Sequence, residues 1–186
     1  MSEISFKEIH SLCLITTQQI VDGLGWDTII VTVLSDIDEA RLTAGSLRAR
    51  LNWAWAIAFY RESANDSISK IALRDIDHGK AGALHAAIIC KHDARREMFS
   101  VCMMENFIVD RESALTGKVA LIALIYATTF CQISGLNYVY IQDPLPEALP
   151  WYRTYGFAPV WYDYSKVSAE VEDILYYIRL KIINSA

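Results

Sequence analysis

The chain has 186 residues, of which 53% are hydrophobic, and its formal net charge is −5 with a pI near 5.3. This length predicts one domain with a sizeable core, and the hydrophobic content excludes a disordered protein. The apolar runs are shorter than the roughly 20 residues that a membrane-spanning helix needs. Because the balance is acidic and no Lys/Arg run occurs, the sequence predicts no nucleic-acid partner.

The N-terminal residues MSEISFKEIH carry acidic side chains and lack the basic flank and apolar segment of a secretion signal. We therefore expect a cytoplasmic protein. The cysteines, at positions 13, 90, 102 and 131, form no C-x-x-C pair. This spacing favours reduced, packed thiols over a disulfide or zinc framework, and no metal site is expected.

The first elements follow from hydrophobic periodicity. Apolar residues recur at helical spacing over residues 3–22, and Gly23 ends this amphipathic helix. The β-branched run 26–34 predicts the first strand, and Ser35 begins a helix that continues to about Arg50. Residues 51–63 (LNWAWAIAFYRES) alternate as in a strand, but their alanines favour a helix.

Three strand-like runs follow, at residues 70–76, 84–91 and 98–109, separated by turns at 77–80 and 93–96. Consecutive strands joined by tight turns predict an antiparallel meander.

The next part of the chain, residues 106–157, is the most informative for function. A helix is predicted from Gly117 to Ile133, with Thr116 as its N-cap and Ser134-Gly135 at its end. A helix that starts just after a strand presents free N–H groups, which suit an anionic pyrophosphate. A strand at 138–142 and a helix at 147–155 follow. The runs 158–164 and 174–183, on either side of an acidic hinge at 168–173, predict a closing β-hairpin.

The run 109–119 (VDRESALTGKV) resembles the coenzyme A loop of the GNAT acetyltransferase superfamily, which follows the fourth strand of that fold. Gly117 matches the glycine at the centre of the signature. Ala114 stands where Gln or Arg is usual, and Val119 where Gly or Ala is usual. The run 148–157 (ALPWYRTYGF) is similar to the family's A-x-x-x-Y-x-x-x-G-F helix and turn, with Ala148, Tyr152, Gly156 and Phe157 in register.

The resemblance implies an α/β (α+β) fold, with a mixed, mostly antiparallel twisted sheet of about seven strands flanked by helices. Residues 1–186 are then one acyltransferase domain, in which residues 1–25 form an extra N-terminal helix.

The resemblance also implies an N-acyltransferase, with acetyl-CoA as cosubstrate and no metal. A small-molecule or protein amine attacks the thioester directly. The resemblance is also compatible with a homodimer. The alternative is a catalytically inactive GNAT-fold protein with a binding or regulatory role.

Site residues follow by the same resemblance. Tyr152 matches the general acid, although it can equally pack its ring in the core. The cofactor contacts fall on Phe107, Val109, Thr116, Gly117, Lys118, Val119 and Ala120.

Two further assignments are predicted. Glu105 is the one carboxylate within the fourth strand and is a candidate base, with a solvated or ion-paired role as the alternative. The resemblance also places the 51–63 segment beside the acceptor, so its aromatic residues either line that pocket or belong to the core: Trp53, Trp55, Phe59 and Tyr60.

Overall fold

The computed structural model describes residues 3–76, 83–109, 113, 115 and 117–185. The predicted turn at 77–80, the Thr116 cap and Ala114 lie outside these residues. Within the described part, no helix is both long and apolar enough to cross a membrane. The elements, in chain order, are α1 (Phe6–Gly23), β1 (Ile29–Val33), α2 (Asp36–Thr43), α3 (Trp53–Phe59), β2 (Asp66–Asp75), β3 (Ala86–Asp93), β4 (Met98–Asn106), α4 (Val119–Ser134), β5 (Tyr138–Gln142), a 3-10 turn (Pro146–Ala148), α5 (Leu149–Arg153), β6 (Ala158–Val160), β7 (Asp163–Glu170) and α6 (Val171–Ser185).

The seven strands form one sheet in the order β1-β2-β3-β4-β5-β7-β6. All neighbours are antiparallel except β4 and β5, which run parallel and are connected through α4. The predicted meander of β2, β3 and β4 is confirmed, and so is the predicted mixed, mostly antiparallel sheet.

Two clusters of apolar side chains hold the layers together. One face of the sheet packs against α1, α4, α5 and α6, with Phe99 of β4 stacked on Phe130 of α4 at a centroid distance of 4.2 Å. The other face is covered by α2 and α3 through residues such as Trp53 and Leu42. α4 is buried nearly all round, as is typical of a helix at the centre of a core.

The ends of the helices follow local sequence rules. Ser5 and Ser35 each form a capping box with the acid three residues later, Glu8 and Asp38. Gly135 ends α4 in the left-handed conformation with φ of 71°, as the Ser134-Gly135 signal predicts. The segment 53–59 is a helix, as predicted, whereas α2 ends at Thr43 rather than near Arg50.

The predicted closing hairpin is wrong. The hairpin consists of β6 and β7, and the acidic segment 168–173 joins β7 directly to α6. Val171, Ile174 and Ile178 are buried at helical spacing against the main core. Packing of this stripe outweighs the strand preference of the β-branched and aromatic residues around it.

Candidate active site

The site begins where two parallel strands part. β4 and β5 pair only through Phe99–Val101 and Val139–Ile141, although β4 continues to Asn106. Cys102 is an extra residue in β4, because Ile89 faces Met103 while Cys90 faces Val101. Such a bulge bends a strand and ends regular pairing. The β5 side of residues 102–106 is therefore open to a cleft.

Three cavities meet in this cleft at Tyr152. The α3 cavity, of about 280 Å³, lies between α3 and the parting ends of β4 and β5. The α4 cavity, of about 290 Å³, lies at the start of α4 beside Gly117 and Trp151. The β7 cavity, of about 270 Å³, lies between α5 and the start of β7. Tyr152 lines all three, so α5 places its side chain where the three cavities adjoin, and we call these cavities together the groove.

Among the predicted cofactor contacts, Gly117, Val119 and Ala120 line the α4 cavity. Gly117 has φ of +70°, a conformation that glycine adopts without strain. Val119, in the position where a small residue is usual, is only 8% exposed because its side chain packs in the main core. Its β-branched group thus leaves most of the cavity free.

The remaining predicted contacts are not among the described residues that line the α4 cavity. Phe107 packs edge-on against Trp53 at a centroid distance of 5.8 Å, and its backbone N–H donates to His85. The Val109 side chain is exposed. The Lys118 ammonium lies 4.8 Å from the ring centroid of Trp26, so a cation stands beside the start of α4. Thr116 is outside the described residues.

Backbone donors are available at the start of α4. Lys118, its N-cap, makes no side-chain capping bond, and the first bond within the helix runs from Ile122 N–H to the Lys118 carbonyl. The N–H groups of Val119, Ala120 and Leu121 therefore have no acceptor among the described residues. Such groups, together with the positive end of the helix dipole, bind phosphate oxygens.

Tyr152 is 6% exposed, and its hydroxyl has no hydrogen-bond partner in the described part of the chain. Burial raises the pKa of Tyr152 to about 12. Its ring is held edge-on between Trp151 and Phe157. Tyr155, three residues later, is buried in the core. The two tyrosines thus differ: Tyr152 reaches the groove, whereas Tyr155 only packs.

Glu105 is occupied by structural hydrogen bonds. Its carboxylate accepts from the backbone N–H groups of Arg50 at 2.7 Å and Leu51 at 3.0 Å, and from the Trp53 indole N–H at 2.9 Å. Arg50 and Leu51 belong to the segment that joins α2 to α3, and Trp53 is the first residue of α3. Since the oxygens already accept three bonds, the geometry speaks against the predicted general base and for an anchor of this segment.

The four aromatic residues of the 51–63 segment divide into two roles. Trp55 and Tyr60 line the α3 cavity, as the resemblance implies. Trp53 is buried in the core, whereas Phe59 stacks on the outer side of Trp55 at 4.7 Å. Helical spacing explains this division, because residues 53 and 56 point to the sheet while 55 and 59 share another face.

Sequence reasoning missed two residues of the groove. Asp143, just after β5, lines both the α3 and β7 cavities and has φ of 45°. Cys102 lines the α3 cavity because of the bulge. Burial raises the pKa of Cys102 to about 11, so its thiol keeps its proton at neutral pH. Among the described residues, no cluster of His, Cys, Asp and Glu has the geometry of a metal site.

Comparison with known proteins identifies the fold. Neither a family model nor a curated protein sequence matches the chain. Among solved structures, AtaTR bound with acetyl-CoA is 10% identical with a TM-score of 0.53, over 82% of this chain and 99% of that one. FeeM, an N-acyl amino acid synthase from uncultured soil microbes, is 13% identical with a TM-score of 0.52, over 77% and 90%. The KacTA–DNA complex is 9% identical with a TM-score of 0.51, over 81% and 98%.

The third comparison corrects one prediction. KacTA has the same fold and is in a complex with DNA, so the exclusion of a nucleic-acid partner is contradicted. Net charge was the wrong criterion, because it averages over the whole surface, whereas contact with a phosphate backbone depends on local groups and on partner chains.

At these identities, the similarity shows the fold alone. The splayed β4 and β5, the glycine at the start of α4 and the tyrosine of α5 agree with it. The chain is therefore a divergent protein of the GNAT fold.

Proposed function

We propose that the protein is an N-acyltransferase that transfers an acetyl group from acetyl-CoA to an amine. The observation that carries the proposal is that the α4 cavity and the α3 cavity share Tyr152, beside the part of β4 that β5 does not pair. The α4 cavity can hold the thioester donor, and the α3 cavity can hold the acceptor. The likeness to AtaTR bound with acetyl-CoA supports the choice of donor.

The residues present fit coenzyme A. Its pyrophosphate needs N–H donors, and those of Val119, Ala120 and Leu121 have no acceptor among the described residues. Its pantetheine amides need backbone partners, and residues 102–106 of β4 have a side that no strand covers. Lys118 adds a positive charge near the same helix end.

The thioester supplies an electrophilic carbonyl carbon and a thiolate leaving group. Tyr152 keeps its proton throughout the neutral range because its pKa is near 12. A thiol has a pKa of about 8.5, so full proton transfer from Tyr152 to the thiolate is uphill by about 5 kcal/mol. Tyr152 therefore acts chiefly as a hydrogen-bond donor that stabilises charge on the sulfur, while the amine releases the proton that the sulfur finally keeps.

Direct attack by the amine is favoured over an acylated enzyme. Cys102 is the thiol of the α3 cavity, and a cysteine nucleophile reacts as its thiolate. Because burial keeps this thiol protonated, and no described basic side chain donates to or accepts from it, Cys102 is a poor nucleophile. The residues thus support a single transfer step.

Calorimetric titration tests donor binding, with acetyl-CoA as ligand and dephospho-CoA as control. We expect micromolar binding of acetyl-CoA. No detectable binding would contradict the proposal and favour the alternative, a GNAT-fold binding protein without catalysis. The exposed aromatic residues Trp161 and Tyr164 around the start of β7 would then mark a surface to examine for protein partners.

A tyrosine variant tests the chemistry. Tyr152→Phe removes a hydroxyl that has no described hydrogen-bond partner, so the fold should tolerate it. We expect kcat for thiol release to fall by about 10²-fold, the scale of one proton-donor group, with little change in KM for acetyl-CoA. Turnover equal to that of the wild type would exclude the proposed role of Tyr152.

A further inference from the structure

The α3 cavity has an unusual balance of side chains. Apolar groups form most of its wall, including Leu51, Trp55, Met103 and Ile141. Among the described residues that line it, Asp143 has the one charged side chain. The other polar groups of the wall are the amides of Asn52 and Gln142, the hydroxyls of Tyr60 and Tyr152, and the Cys102 thiol. Asn52 already caps α3 by accepting from the Trp55 N–H.

Asp143 is held in place and forms no ion pair with a described cation. Its backbone N–H donates to the Ser165 carbonyl at 2.7 Å, and its carboxylate accepts from the Gln142 amide at 3.0 Å. The nearby Lys166 of the β7 cavity pairs with Asp163 at 2.8 Å instead. In the described part of the chain, no Lys, Arg or His forms an ion pair with Asp143. A carboxylate at the mouth of an apolar cavity attracts a single cation.

A cavity with one carboxylate in a mostly apolar wall excludes several classes of acceptor. Inside the α3 cavity, a carboxylate or phosphate on the acceptor meets Asp143 and no described cation, since Arg153 and Lys166 line the neighbouring β7 cavity instead. A polyamine brings several ammonium groups, of which only one finds a counter-charge, and burying the others is costly. A monoamine with an apolar body pairs its one ammonium with Asp143 and packs its body against the apolar wall.

The size of the cavity limits that body. An apolar cavity of about 150 Å³ holds one benzene. The α3 cavity, at about 280 Å³, therefore takes one ring with a short aliphatic link. Trp55, backed by Phe59, and Tyr60 form an aromatic corner with a centroid distance of 6.0 Å, which suits both a ring and a nearby ammonium.

We propose that the α3 cavity binds the acceptor as a primary monoamine on a compact apolar body of one ring, with its ammonium at Asp143 and its body against Trp55 and Tyr60. This assignment rests on the proposed function for its role as acceptor site. In the transfer the amine nitrogen bonds to the carbonyl carbon and the carbon–sulfur bond breaks. Of the two protons that the ammonium loses, one ends on the sulfur and one passes to solvent.

Binding without any acyl donor tests the cavity by itself. Ligand-detected NMR titrations of the full chain compare 2-phenylethylamine with 2-phenylethanol, 3-phenylpropanoate and spermidine. We expect saturable binding of 2-phenylethylamine, about fivefold weaker binding of the uncharged alcohol, and still weaker binding of the acid. Spermidine or the acid binding as tightly as 2-phenylethylamine would overturn the proposal.

Two variants assign the contacts. Asp143→Asn keeps the shape of the side chain and tolerates the positive φ. This variant should bind 2-phenylethylamine no more tightly than 2-phenylethanol. Glu147→Gln, which removes a nearby charge outside the cavity wall, should still bind the amine more tightly than the alcohol. Trp55→Ala should weaken the amine and the alcohol alike, by about tenfold. If Asp143→Asn leaves the ratio of the amine and alcohol affinities unchanged, the proposed position of the ammonium is refuted.

These results separate the two proposals. If 2-phenylethylamine binds in an Asp143-dependent way but releases no CoA thiol from acetyl-CoA, the proposed function fails and the binding site stands. If spermidine drives thiol release while 2-phenylethylamine neither binds nor reacts, the function stands and the acceptor assignment is wrong.

Discussion

The substitution Glu105→Gln decides between two roles for the one carboxylate of β4. As an anchor, Glu105 holds the α2–α3 segment through three N–H donors, and each bond to a charged acceptor contributes about 1.5–3 kcal/mol. The glutamine oxygen can keep the donors of Leu51 and Trp53, which share one carboxylate oxygen. Its amide group then faces the Arg50 N–H, so that bond is lost.

The expected loss of stability is therefore about 2 kcal/mol. For a chain of 186 residues this corresponds to a fall in Tm of about 4–8 °C. Because Asn52 lies in this segment and Trp55 in the helix that follows it, and both line the α3 cavity, KM for the amine should rise while kcat changes less than tenfold.

Urea denaturation followed by tryptophan fluorescence measures the stability, with Glu62→Gln as matched control. Glu62 is exposed and has no described hydrogen bond, so its variant should match the wild type within about 0.5 kcal/mol. The anchor argument is refuted if Glu105→Gln leaves stability unchanged and lowers kcat by more than about 10²-fold. That outcome is the signature of a general base.

Two further predictions concern stability alone. Burial raises the pKa of Tyr152 to about 12 from its usual 10, so its contribution is complete below pH 10 and is lost as pH rises from 10 to 12. The free energy of unfolding should then fall less steeply in Tyr152→Phe than in the wild type between pH 10 and pH 11, by about 1 kcal/mol; parallel curves would contradict this assignment. Gly135→Ala forces a side chain into φ of 71° at the end of α4, and urea denaturation should show a loss of about 1 kcal/mol. The matched variant Gly23→Ala, at a glycine for which no positive φ is recorded, should show no comparable loss.

The sequence by itself determined most elements and their order. Apolar spacing and runs of β-branched residues predicted α1, α4 and the strands β2 to β5, because these local patterns follow the period of each element. It also located Gly117, the left-handed stop at Gly135, and Tyr152 within its motif. These signals are local, since they depend on backbone conformation and on neighbours a few residues away.

Only the tertiary structure decided the C-terminal helix and the roles of the groove residues. The residues around Ile174 and Ile178 prefer strands, and their helix forms because its buried stripe meets the core. Glu105 became an anchor because a segment more than fifty residues earlier brings three donors to it. Asp143 and Cys102 entered the site through the parting of β4 from β5 and the bulge beside it. Such meetings depend on long-range packing, which no local pattern records.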